Sequence, residues 1–134
     1  MDFRIFPPTK IYVDKSPIHG WGVFAKYTIE EGEILEECPV LTLPMQKGEV
    51  SSLMIDYRFN WPASTEWEEQ VIGLGFASLY NHSNTPNAYW ISDTDKKTFK
   101  FIANRQIQPN EEIFVWYGDD SYWNDGRSHI ERII

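Results

Sequence analysis

Short apolar runs interrupted by turn residues about every ten positions dominate this chain, and the pattern predicts a mainly β domain of several small sheets with few, short helices. Ile11 to Val13, Trp21 to Ala25 and Ile34 to Thr42 read as strands, with Pro17 and Gly20 bending the chain between the first two. Ala88 to Ser92 and Thr98 to Ala103 flank the polar Asp93-Thr94-Asp95-Lys96-Lys97, a hairpin by composition and alternation. Ile113 to Tyr117 is the last strand. Val50, Leu53, Met54 and Tyr57 recur at helical spacing and predict a helix leading into Phe59 and Trp61. Two stretches echo each other: Ile29-Glu30-Glu31-Gly32-Glu33 and Ile107-Gln108-Pro109-Asn110-Glu111. Each puts Gly or Asn where a turn needs a positive φ, and each turns the chain into a following strand, at Ile34 and Ile113. The shared unit is too short for a repeat architecture.

Composition narrows the function. A chain of 134 residues with 42% hydrophobic and 16% aromatic content fits one compact domain. Its formal charge of −8, from 20 acidic and 12 basic residues, would repel a phosphate backbone, which argues against direct nucleic-acid binding. An acidic surface attracts basic partners such as lysine-rich protein tails, although solubility alone explains the charge equally well. Cys38 is the only cysteine, so the chain forms no internal disulfide and builds no multi-cysteine zinc cage. The first residues carry no apolar h-region and no later stretch has the length of a membrane span, so a soluble intracellular protein without membrane contact is expected, in cytoplasm or nucleus. Asn81-His82-Ser83 matches a glycosylation sequon, which means little without a secretory signal.

Three segments stand out: His19-Gly20-Trp21-Gly22-Val23-Phe24-Ala25, Tyr80-Asn81-His82-Ser83-Asn84-Thr85-Pro86-Asn87, and Asn110-Glu111-Glu112-Ile113-Phe114-Val115-Trp116-Tyr117-Gly118. Taken singly they read as a tight turn, a hydrogen-bonded polar loop and a core strand. The chain offers no Cys-His pair at informative spacing, no cluster of metal ligands and no Gly-x-Ser-x-Gly elbow.

In order and separation the three segments resemble the SET-domain lysine methyltransferases over about residues 10–118, leaving a short tail, 119–134, within a single domain, 1–134. The closing Glu-Glu-Ile-Phe-Val-Trp-Tyr-Gly is similar to the PR-domain branch and to small stand-alone SET proteins of microbes and viruses, which would place a viral protein in its host cell. The resemblance implies small curved sheets around a C-terminal pseudoknot. It also implies S-adenosylmethionine as methyl donor, S-adenosylhomocysteine as product, no metal, and a lysine-containing basic protein such as a histone tail as substrate. By the same resemblance Gly20, Trp21 and Gly22 pass the methionyl part of the cofactor, and Asn81 and His82 bind it, His82 as a contact and not as an acid or base. Tyr117 matches the active-site tyrosine, with its hydroxyl near the sulfonium. In-line methyl transfer to an amine requires alignment and exclusion of water, with neither metal nor covalent nucleophile, which agrees with the missing motifs.

Tyr57, Tyr80, Val115 and Trp116 are candidates for the lysine channel. Val115 stands where many relatives carry a Phe or Tyr that limits the number of methyls, so the methylation state is unreadable here. Asn84 replaces a common cysteine, and Trp116 a common Asp. With both flanking cysteine clusters missing, Tyr122 and Trp123 are candidate lid residues, against an equal expectation that they merely cap the domain surface. A homodimer is left open. The competing reading is a catalytically inactive PR/SET-like interaction module, against which the joint presence of Gly20, Gly22, Asn81, His82 and Tyr117 argues.

Overall fold

A computed structural model describes residues 2–43, 57–62 and 69–117. Among these residues the chain is mainly β. In chain order the strands are β1 (Ile11–Lys15), β2 (Trp21–Ala25), β3 (Ile34–Thr42), β4 (Arg58–Trp61), β5 (Glu69–Gly73), β6 (Asn81–His82), β7 (Ala88–Asp93), β8 (Thr98–Ala103) and β9 (Glu112–Val115), with one 3-10 turn at Ala77–Leu79. They form a four-stranded sheet, β1-β2-β9-β6, and a five-stranded sheet, β4-β5-β3-β8-β7. No helix among the described residues is long and apolar enough to cross a membrane.

The predicted bounds of β2, β3 and β8 coincide with those observed, because alternation and flanking turn residues mark them. The predicted hairpin is β7–β8, closed where Lys97 adopts φ +60° and donates its N–H to the Asp93 carbonyl at 2.8 Å. The helix expected from Val50 onward lies mostly outside the described residues; Tyr57 directly precedes β4, and Phe59 and Trp61 lie within that strand. Inside, the rings of Phe59 and Trp61 lie 5.0 and 5.4 Å from that of Phe99 on β8, and Val40, Val71 and Phe101 complete the packing.

The two echoing stretches join the sheets. Ile29 and Ile107 exchange both backbone hydrogen bonds, at 2.9 and 2.8 Å. Gly32 at φ +85° and Asn110 at φ +65° occupy the left-handed region that the sequence demanded. In each turn the glutamate reaches back, Glu33 Oε1 accepting Glu30 N–H at 2.8 Å and Glu111 Oε1 accepting Gln108 N–H at 3.0 Å. The Gly32 N–H then bonds the Ala103 carbonyl, and the Asn110 N–H the Ala25 carbonyl. One turn thus delivers the chain from β2 to a place beside β8, and the other from β8 to a place beside β2.

The second delivery creates the pseudoknot. β9 runs antiparallel to β2 (Val23↔Ile113) and parallel to β6 (Asn81↔Phe114, His82↔Val115). The arch of residues 83 to 87 bonds β9 from both ends: Ser83 N–H to the Val115 carbonyl at 3.0 Å, and Asn87 N–H to the Phe114 carbonyl at 3.2 Å. The buried Asn87 side chain also accepts Phe114 N–H at 2.7 Å and donates to the Glu112 carbonyl at 3.0 Å, standing in for a neighbouring strand. All three sequence motifs therefore meet along β9.

Candidate active site

The bend before β2 is held by Ser16. Its N–H bonds the Gly20 carbonyl at 2.8 Å, and its hydroxyl accepts Ile18 N–H at 3.0 Å. The same hydroxyl lies 2.9 Å from both carboxylate oxygens of Glu112. Gly20 sits at φ +49° with open space around a would-be Cβ, so backbone conformation is what requires glycine there. Gly22 is different: a Cβ would lie 2.5 Å from Glu112 Oε2 and 3.0 Å from Ser16 Cβ. Its missing side chain makes room for a carboxylate of the protein itself, a reason the sequence did not suggest.

Across from this bend, the buried Asn81 amide nitrogen reaches the carbonyls of His19 and Trp21 at 3.0 and 3.1 Å and Glu112 Oε2 at 2.9 Å. Three acceptors around one atom fix the amide orientation. Asn81 Oδ1 has no partner among the described residues. His82 is also buried, and its Nδ1 accepts the Tyr117 backbone N–H at 2.9 Å. That bond leaves the ring proton on Nε2, which faces Asn84 Oδ1 at 3.1 Å. The rings of His82 and Tyr117 lie 5.4 Å apart.

The Tyr117 hydroxyl donates to the backbone carbonyl of Tyr80 at 2.5 Å. The Tyr80 ring points the other way. It is 1% exposed, stacks on Phe101 at 4.3 Å, and gives its own hydroxyl to Glu36 Oε1 at 2.8 Å. Burial pushes both this phenol and the Glu36 carboxyl above their ordinary values, the latter opposed in part by the Tyr80 hydroxyl and the Phe76 amide. Tyr80, expected to line a channel with its ring, offers Tyr117 a carbonyl and anchors it through a core phenol.

The SET-domain family profile matches residues 20–118. The chain belongs to the SET-domain family of protein-lysine methyltransferases. It is 30% identical to a Schizosaccharomyces pombe protein named histone-lysine N-methyltransferase, H3 lysine-37 specific, over 92% of this chain and 88% of that one. It is 29% identical to the Arabidopsis thaliana histone-lysine N-methyltransferase MEDEA, over 95% of this chain but only 20% of that longer protein. The crystal structure of a candidate histone methyltransferase of Plasmodium falciparum superimposes with a TM-score of 0.68 at 30% identity, covering 85% of this chain and 96% of that one.

In this SET domain the bend at Gly20, Trp21 and Gly22, the Asn81-His82 strand and Tyr117 come together through direct hydrogen bonds. Trp21, Trp116 and Tyr57 are exposed, and the Tyr57 carbonyl accepts Ser78 Oγ at 3.0 Å, which ties it to the turn preceding Tyr80. Val115 is buried in the core. Tyr122 and Trp123 lie outside the described residues. Among the described residues no group of three or more His, Cys, Asp or Glu side chains is placed to hold a metal ion. Sequence reasoning missed Ser16, Glu36, Glu112 and Asn87. For Glu112 and Asn87 a signal existed, since both stand inside the quoted motifs. Ser16 and Glu36 carry none outside the fold.

Proposed function

We propose that this protein transfers a methyl group from S-adenosylmethionine to a lysine amine of a basic protein segment, such as a histone tail, releasing S-adenosylhomocysteine. The observation that carries this reading is the meeting of Tyr117 with the Tyr80 carbonyl and the Asn81-His82 strand beside the Gly20–Gly22 bend. The residues present fit the cofactor. Asn81 Oδ1 is available as an acceptor, while the carbonyls of His19 and Trp21 and the Glu112 carboxylate surround the same amide. Such a set of acceptors suits an amino-acid ammonium. The relatives named for histone-lysine methylation, together with the charge of −8, support a basic substrate.

The chemistry supplied by bound S-adenosylmethionine is an electrophilic methyl on a sulfonium. The chain's own part is alignment. The Tyr117 hydroxyl donates its proton to the Tyr80 carbonyl, which fixes the direction of the phenol dipole, and a fixed oxygen dipole favours positive charge developing beside it. His82 has one ring nitrogen on Tyr117 N–H and the other on Asn84, so it holds the Tyr117 backbone and is not set up as a proton acceptor for lysine. Lysine, with a reference pKa of about 10.4, must lose its proton before attack, and desolvation next to a cationic cofactor favours that loss.

The test is a labelled-methyl assay on mixed basic proteins with wild type and Tyr117→Phe. The variant is expected to lose turnover by about a hundredfold or more while binding S-adenosylhomocysteine within about threefold of wild type. Equal turnover by Y117F would refute the role of the phenol. A wild-type chain showing no heat of binding with S-adenosylmethionine would favour an interaction module instead.

A further inference from the structure

We propose that Glu112 is the positioning residue and counter-charge for the cofactor's α-ammonium group, an inference that rests on the methyltransferase reading above. The Glu112 carboxylate is 9% exposed and accepts only neutral donors, Ser16 Oγ at 2.9 Å and Asn81 Nδ2 at 2.9 Å. No cationic side chain pairs with it among the described residues. Burying a carboxylate without a cation is costly, and such groups normally have a counter-ion.

Among the described residues the surroundings leave one place for such a counter-ion, beside the Asn81 carbonyl oxygen. Glu112 Oε2 touches the amide of Asn81, whose Oδ1 has no partner among the described residues, and a Cβ on Gly22 would lie 2.5 Å from the same carboxylate oxygen. Glycine is thus kept at position 22 to admit a carboxylate, and that carboxylate turns the Asn81 carbonyl toward ligand. A cation accepted by Asn81 Oδ1 is then separated from the Glu112 charge by the width of one amide. Both the cofactor and its demethylated product carry this ammonium, so the interaction serves binding of either and discriminates against nucleosides without the amine.

The experiment is calorimetry on the full chain with two probes: S-adenosylhomocysteine and its analogue in which the α-amine is replaced by hydrogen. Wild type is expected to prefer the amine-bearing probe by about tenfold or more, the size of one partly screened charge pair. E112Q keeps the shape and removes the charge, and is expected to weaken that probe about tenfold while leaving the other within about twofold. Equal weakening of both probes, or of neither, overturns the proposal. Should E112Q not fold, Ser16→Ala keeps the charge but removes a hydroxyl donor; a loss of about threefold confined to the amine-bearing probe supports the proposal, and a loss shared by both overturns it. A wild type that binds both probes without preference defeats this inference alone. A wild type that binds neither defeats the methyltransferase reading itself.

Discussion

Asn87→Ala tests whether a single side chain holds the last strand in its threaded position. Asn87 is 1% exposed, and its amide satisfies two backbone groups of β9, the Phe114 N–H at 2.7 Å and the Glu112 carbonyl at 3.0 Å. Its 3.5 Å approach to Glu111 Oε2 is too long to contribute much. Alanine would leave both backbone groups buried and unpaired, at about 1–3 kcal/mol each, so the expected cost is about 2–6 kcal/mol. For a chain of this length a loss of about 3 kcal/mol lowers Tm by about 10 °C. Urea denaturation followed by fluorescence gives the stability, and hydrogen exchange of the Phe114 amide reports the local site. The control is Asn104→Ala, at an exposed position, expected within about 0.5 kcal/mol of wild type. A cost below about 1 kcal/mol for N87A, with the Phe114 amide still protected, would refute the reasoning.

The two glycines of the bend should respond differently. Gly20→Ala, with open space but φ +49°, costs about 1 kcal/mol and leaves affinity for S-adenosylhomocysteine nearly unchanged, whereas Gly22→Ala must displace the Glu112 carboxylate and should cost about 1–3 kcal/mol and weaken that affinity; equal behaviour on calorimetry would contradict the assigned contacts. Glu36→Gln probes the buried carboxyl. Burial raises the Glu36 pKa above its ordinary 4.5, so the stability it contributes is fully present below that pH and lost as pH rises through the folded-state value. Wild type should therefore lose ground relative to E36Q in urea midpoints as pH rises above 4.5, and a pH-independent difference would show that Glu36 is not held in this way. Tyr80→Phe removes the hydroxyl from Glu36 but keeps the carbonyl that meets Tyr117, so it should destabilise by about 1–2 kcal/mol while methyl transfer per folded molecule stays within about threefold. A collapse of turnover in the folded variant would mean that the ring, not the carbonyl, serves the reaction.

Much of this protein was legible in its sequence. Alternation marked β2, β3 and β8, and the demand for a positive φ at Gly32 and Asn110 was met, because these signals arise from local sterics and from one-sided burial. The motif order identified the family and brought Gly20, Asn81, His82 and Tyr117 forward together. Other features depended on distant partners. Asn81-His82 is a polar pair with no strand signal and becomes β6 only because β9 arrives beside it. That Gly22 also makes room for Glu112, and that the Tyr80 hydroxyl is spent on Glu36, show only in the fold. The sequence by itself determined strands β2, β3 and β8, the two positive-φ turns and the family. Only the tertiary structure decided which face each motif residue presents, since a threaded strand takes its partners from segments some thirty and ninety residues away, and no local pattern encodes that choice.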